Sequence, residues 1–172
     1  MTKRILLGML TPSSNTALET ITTAMVAGLP EVSAHFSRFK VTEIALSNKA
    51  LAQFDNDEIL RAAELLVHAK GDSIGWNGTS SGWLGFEADI RLCEQITAAT
   101  GIPATTSMLA LNEILERKKV TRLGYVTPYL DDVQSKILEN YARLGMACQG
   151  ERHLGLQDNF SFSKCRSRSW RP

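Results

Sequence analysis

The sequence predicts an α/β protein of Rossmann-like design, with parallel sheets flanked by helices in two similar halves, the second incomplete. Three observations predict it. Arg4 to Leu10 is a near-continuous apolar run, as a central parallel strand buried on both faces requires. Asp57 to Lys70 is strongly amphipathic, with Ile59, Ala63, Leu66 and Val67 on one helical face. Three apolar strand patterns end in small or polar turns that open into helical patterns, around Asn15, Gly78 and Tyr129. A chain of 172 residues, 44% hydrophobic and 22% charged, suits one globular domain or two small halves with a real core.

Taken in order, the first strand ends in Thr11-Pro12-Ser13-Ser14-Asn15-Thr16, where Ser13 or Ser14 can cap a helix whose apolar positions are Ala17, Leu18, Ile21, Ala24 and Met25. An alternating stretch from Val32 to Thr42 reads as the second strand, and a loop through Leu46 to Asp55 leads into the amphipathic helix. Asp72 to Trp76 is a short buried strand, and Gly75-Trp76-Asn77-Gly78-Thr79-Ser80-Ser81-Gly82-Trp83 is the turn that follows it. From about Glu87 a new helical pattern begins and carries Cys93. Right-handed crossovers place the strand-end turns of such a βαβαβ unit on one edge.

The second half repeats the scheme. Ile102 to Ser107 is a short strand and turn, Ala110 to Arg117 is helical, and Arg122 to Val126 is a strand. Thr127-Pro128-Tyr129-Leu130-Asp131-Asp132 reads as a helix start with Thr127 as N-cap and Pro128 in the first helical position. That helix runs through Val133, Ile137, Leu138 and Tyr141, and another strand follows from about Met146. The expected organisation is thus a first half over residues 1–97, a partial second half over 98–160, and a basic, serine-rich tail over 161–172 without regular structure. The loss of pattern inside an α/β unit suggests a chain without its native continuation.

With 19 basic against 18 acidic residues the net charge is +1, so no strong field favours nucleic acid or an anionic membrane. No apolar run approaches the roughly 20 residues of a membrane span, and no secretory leader precedes the first strand, which predicts a cytoplasmic protein. Cys93, Cys148 and Cys165 form no CxxC pair, and His35, His68 and His153 are scattered, so neither a metal site nor a disulfide framework is expected.

A Gly/Ser/Thr turn at the carboxyl end of a parallel strand places backbone N–H groups and hydroxyls where an anion can be held. The same composition also serves a plain connection with no ligand, and Tyr129 reads equally as a half-buried aromatic beside a cap or as a phenol donor aimed at an anion.

The sequence resembles the Asp/Glu racemase superfamily, in its maleate isomerase and arylmalonate decarboxylase branch. The resemblance rests on five pieces in the family's order: Gly8 to Thr16 with Glu19, Gly78-Thr79-Ser80, Thr100 to Thr106, Val126 to Val133, and Leu154 to Asn159. It implies two α/β halves with an active site between them and chemistry without cofactor or metal. In racemases and isomerases of that branch two cysteines face each other across the substrate; in the decarboxylases glycine replaces the first, and hydroxyls and amides form a carboxylate-binding hole. Gly78 is similar to the decarboxylase pattern, whereas Pro12 to Thr16 and Asn159 are similar to the isomerase pattern. The family's second cysteine lies beyond the segment matching Asn159, and Cys165 does not take its place.

The resemblance therefore implies a small carboxylate or dicarboxylate substrate. Thr79, Ser80 and Tyr129 are the expected catalytic donors, and Pro12, Ser13, Ser14, Asn15, Gly78, Ser81 and Asn159 are expected to bind substrate. Trp76, Trp83 and Leu84 are expected to make the pocket dry. The expected activity is isomerisation, racemisation or decarboxylation through an enediolate, impaired by the missing thiol. A non-catalytic carboxylate-binding domain is the alternative, an RNA-binding Arg/Ser tail a third reading, and self-association through the open side of the second half a further expectation.

Overall fold

Residues 4–47 and 56–165 are described by the structure, a computed structural model. Its centre is β1 (Ile5–Pro12), paired in parallel with β2 (Val32–Phe39) on one side and β3 (Ser73–Trp76) on the other. Full burial of β1 lies towards its carboxyl end: Leu10 is fully buried between Ser37 and Trp76 in register, whereas Ile5 is 42% exposed and Leu6, Leu7 and Met9 are half-buried. Contrary to expectation, the strand is therefore not covered on both faces along its whole length. β4 (Ala104–Thr106) pairs in parallel with β3, giving a four-stranded sheet of order β2-β1-β3-β4.

Helices cross over between these strands: α1 (Leu18–Val26), α2 (Asn56–Val67), the single turn α3 (Ser81–Leu84) and α4 (Phe86–Thr100). The amphipathic pattern of α2 is satisfied as expected, with Ile59, Ala63 and Leu66 buried. It sits so close to β1 that a Cβ on Gly8 would lie 3.1 Å from Leu66 Cδ1. α2 ends at Val67 rather than Lys70, because the N–H groups of Ala69 and Lys70 turn to the carbonyls three residues back and tighten the last turn.

After α5 (Ser107–Arg117), β5 (Arg122–Thr127) and β6 (Ala147–His153) form a separate two-stranded parallel sheet flanked by α6 (Asp131–Arg143). One expected boundary is corrected here. Residues 104–106 do not open the second half; Ile74 and Trp76 pair with Ala104 and Thr106, so the first sheet is completed before the chain moves on. The step into α5 is fixed by Thr106, whose Oγ1 accepts the Leu109 N–H at 3.0 Å and donates to the buried Asp89 carboxylate at 2.5 Å. Burial pushes the Asp89 carboxyl above the usual carboxylate range, and that hydrogen bond opposes the push.

Two helix starts also differ from expectation. Asn15, not Ser13 or Ser14, caps α1: its Oδ1 accepts the N–H groups of Ala17 and Leu18, both at 3.0 Å. Ser13 and Ser14 instead turn to Val41, with Ser13 Oγ accepting the Val41 N–H at 3.2 Å and Ser14 Oγ donating to the Val41 carbonyl at 2.5 Å. α6 begins at Asp131 with Leu130 as its N-cap, so Thr127 closes β5 and its hydroxyl donates to Gln134 Oε1 at 2.7 Å. The returning chain holds 127–129 out of the helix, because the N–H groups of Leu154, Leu156 and Gly155 take the carbonyls of Thr127, Pro128 and Tyr129.

That returning chain, 154–162, crosses from the second sheet to the first. Ile44 N–H donates to the Gln157 carbonyl, Asn159 N–H donates to the Thr42 carbonyl, and Glu43 bridges Asp158 in antiparallel fashion. Asp158 then caps a last helical turn, α7 (Asn159–Phe162), by accepting the Ser161 N–H at 3.0 Å. Ser161 and Phe162 are therefore ordered in a helix, contrary to a tail without structure from 161. The Arg/Ser residues 166–172 and most of the loop expected through 46–55 lie outside the described residues.

Candidate active site

Because the strands of the first sheet run parallel, β1 and β3 deliver their carboxyl ends, Pro12 and Trp76, to one edge. The corner after β1 contributes Asn15, and the corner after β3 contributes Asn77, Gly78, Thr79 and Ser80. The corner after β5 contributes Pro128 and Tyr129 from the opposite side. These meet around a cavity of about 280 Å³, completed by Val41, Ile44, Trp83, Asn159 and Phe162.

On its wall Thr79 Oγ1 and Tyr129 Oη are 2.6 Å apart. This hydrogen bond joins a loop of the first sheet to a loop of the second. The Tyr129 ring is buried, with Trp83 edge-on at a centroid distance of 5.2 Å and Phe162 edge-on at 5.5 Å. Burial pushes the Tyr129 phenol above its ordinary value of 10.0, the Thr79 hydrogen bond opposing it, so the phenol stays protonated and can donate at neutral pH. Asn159 is buried too; its Nδ2 donates to Ser14 Oγ at 2.8 Å, which ties the crossing segment to the first corner.

Ten positions expected from the sequence fall into two groups. Pro12, Asn15, Gly78, Thr79, Ser80, Tyr129 and Asn159 line the one cavity, as do Trp76 and Trp83. Ser13, Ser14 and Ser81 do not line it. Ser13 and Ser14 hold the Val41 segment, and Ser81 is fully buried at the start of α3, its carbonyl accepting the Gly85 N–H. Leu84 lies outside as well, 42% exposed on the solvent side of the same turn. Ser14 retains an indirect part, since it holds Asn159.

Five lining residues were not expected: Val41, Ile44, Asn77, Pro128 and Phe162. For Phe162 the signal was its spacing from Asn159, three residues on and so on the same side of a helical turn. Val41 and Ile44 follow a strand in a segment whose pairing with residues 157–159 is long-range and leaves no local pattern.

Among the lining residues the only titratable side chain is Tyr129. Among the described residues no lysine, arginine or thiol lines the cavity. Cys93 lies on α4, with its thiol pushed up to about 11 by burial and by the neighbouring carboxylates of Asp89 and Glu94, which makes it inert. Among the described residues no cluster of His, Cys, Asp and Glu could hold a metal ion, and no helix is long and apolar enough to cross a membrane.

Fold and site together define an open α/β protein with a crevice at the carboxyl ends of its strands, lined by neutral polar and aromatic side chains. Within that class the family model for arylmalonate decarboxylase matches residues 21–166, and the chain belongs to that family. It is 30% identical to a maleate isomerase from Pseudomonas putida over 95% of its own length and 69% of that protein. The fold is that of a crystal structure of a Pseudomonas putida maleate isomerase, with a TM-score of 0.84 at 22% identity over 96% of this chain and 70% of the other. It is also similar to a doubly substituted arylmalonate decarboxylase in liganded form, with a TM-score of 0.73 at 20% identity over 91% of this chain and 64% of the other.

Proposed function

We propose that the cavity binds a small malonate-type acid with an apolar substituent and promotes loss of carbon dioxide without a cofactor. The observation that carries this reading is the Thr79–Tyr129 contact in a cavity whose described lining residues include no thiol and no cation. One carboxylate rests on the hydroxyls of Thr79, Ser80 and Tyr129, while the side-chain amides of Asn15 and Asn159 orient the far end of the substrate. The second carboxylate faces the apolar surfaces of Trp76, Trp83 and Ile44, where it is less well solvated than in water and is destabilised.

The bond between that carboxylate and the α-carbon breaks, and its electron pair passes into the held carboxylate to form an enediolate and carbon dioxide. Donors already aimed at the growing charge are each worth about 3–4 kcal/mol on removal. The α-carbon then takes its proton from water, because Tyr129, the one titratable side chain in the described lining, is engaged as a donor to the held carboxylate. Reprotonation is therefore slow and without facial preference, which is the sense in which the chain is impaired. Membership of the arylmalonate decarboxylase family and the glycine at 78 support decarboxylation over isomerisation.

The test is carbon dioxide release from methyl(phenyl)malonate, with maleate and aspartate as parallel substrates. Slow release giving racemic product is the expected result. A single enantiomer contradicts reprotonation by water, and turnover of maleate alone contradicts the decarboxylase reading. Saturable binding of the diacid with no release of carbon dioxide instead supports a non-catalytic carboxylate-binding domain.

A further inference from the structure

Positions 76 and 78 lie two apart where the chain leaves β3, the spacing that sends side chains to the same side of an extended backbone. Only one of the two has a side chain, and the structure shows why. A Cβ on Gly78 would fall 1.9 Å from Cζ2, 2.3 Å from Cε2 and 2.6 Å from Cη2 of Trp76. All three are far inside contact distance, so the six-membered ring of the indole occupies the space that any side chain at 78 requires. The ring has little freedom to withdraw. Trp76 is 2% exposed, and the Phe39 ring stands against it at a centroid distance of 5.0 Å and an angle of 54°.

We propose that Trp76 is the specificity-determining residue of the cavity, acting through this exclusion. Its indole fills the space of a side chain at 78 and closes the cavity there, so the site cannot carry a nucleophile at that position. Acids with a single planar ring leave that wall in place; acids with a fused ring system need the volume that the indole fills and are rejected. The ligand part of this inference rests on reading the cavity as an acid site, whereas the exclusion between 76 and 78 does not.

The test separates the two parts. Urea unfolding is measured for Gly78→Ala in the natural background and in a Trp76→Val background, and phenylacetate and 1-naphthylacetate are titrated by calorimetry into the wild type and Trp76→Val. The expected results are a clear fall of the unfolding midpoint for Gly78→Ala alone, no fall when Trp76 is already valine, and a shift of at least tenfold towards naphthylacetate in Trp76→Val. Should Trp76→Val fail to fold, Trp76→Phe replaces it in both arms. Equal cost of Gly78→Ala in the two backgrounds overturns the exclusion, and an unchanged ratio of the two affinities overturns the specificity role. If neither acid binds any variant, the acid-site reading and the specificity role fall together, while the unfolding data still decide the exclusion.

Discussion

Replacing Tyr129 by phenylalanine lowers turnover of the malonate-type substrate by about 10²–10³, the loss typical of one preorganised donor to a developing oxyanion. The fold changes little, because the ring keeps its edge contacts with Trp83 and Phe162 and only the hydroxyl and its bond to Thr79 are lost. One hydrogen bond of this kind contributes about 1 kcal/mol to stability. The pH dependence carries a further signature. Burial favours the neutral phenol, so the Tyr129 pKa is raised above 10.0 and the donor persists beyond the pH at which an exposed tyrosine loses its proton. Affinity for phenylacetate is accordingly flat from neutral pH to 10. A fall through an ordinary tyrosine pKa would mean that the phenol is not the buried donor described here.

Replacing Trp83 by alanine destabilises the protein by about 3–5 kcal/mol, the range for deleting a buried large aromatic side chain. Trp83 is 5% exposed and lies on α3, where the two sheets meet. Its ring packs on Tyr129 from the β5 side, while the preceding residue receives a hydrogen bond from α6, Asn140 Nδ2 to the Gly82 carbonyl at 2.9 Å. The cavity left by alanine cannot collapse easily, because helices from both lobes hold its walls. Urea unfolding monitored by circular dichroism reads this loss as a lowered midpoint at similar slope. A cost below 1 kcal/mol would show that α3 is not the joint between the lobes.

The parts of the fold written in local pattern were legible in the sequence. The helical spacing of Ile59, Ala63 and Leu66 states which face is buried, and the structure buries it; the apolar run of β1 is buried only towards its carboxyl end, with Leu10 in the core, Leu6, Leu7 and Met9 half-buried and Ile5 42% exposed. The corners around Asn15, Gly78 and Tyr129 were legible as turns because small or polar residues mark strand ends, and it was the family resemblance that singled them out from plain connections. Partnership at long range was not legible. Nothing in Ala104-Thr105-Thr106 says that it pairs with β3 instead of starting a new sheet, since a three-residue strand has no period to read. Likewise Ser13 and Ser14 have the composition of N-caps, but Asn15 reaches the free N–H groups first, and the serines turn to Val41, some 27 or 28 positions away.

The most direct measurement is the two-dimensional ¹H–¹⁵N spectrum of the protein titrated with phenylacetate. The backbone amides of Gly78, Thr79 and Ser80 and the side-chain amides of Asn15 and Asn159 should shift together, with one saturating curve for all five. Shifts confined to other surfaces, such as the apolar groove between α5 and β5 lined by Leu111, Leu115 and Leu123, or no saturable shift at these five, would contradict a carboxylate held where the three corners meet.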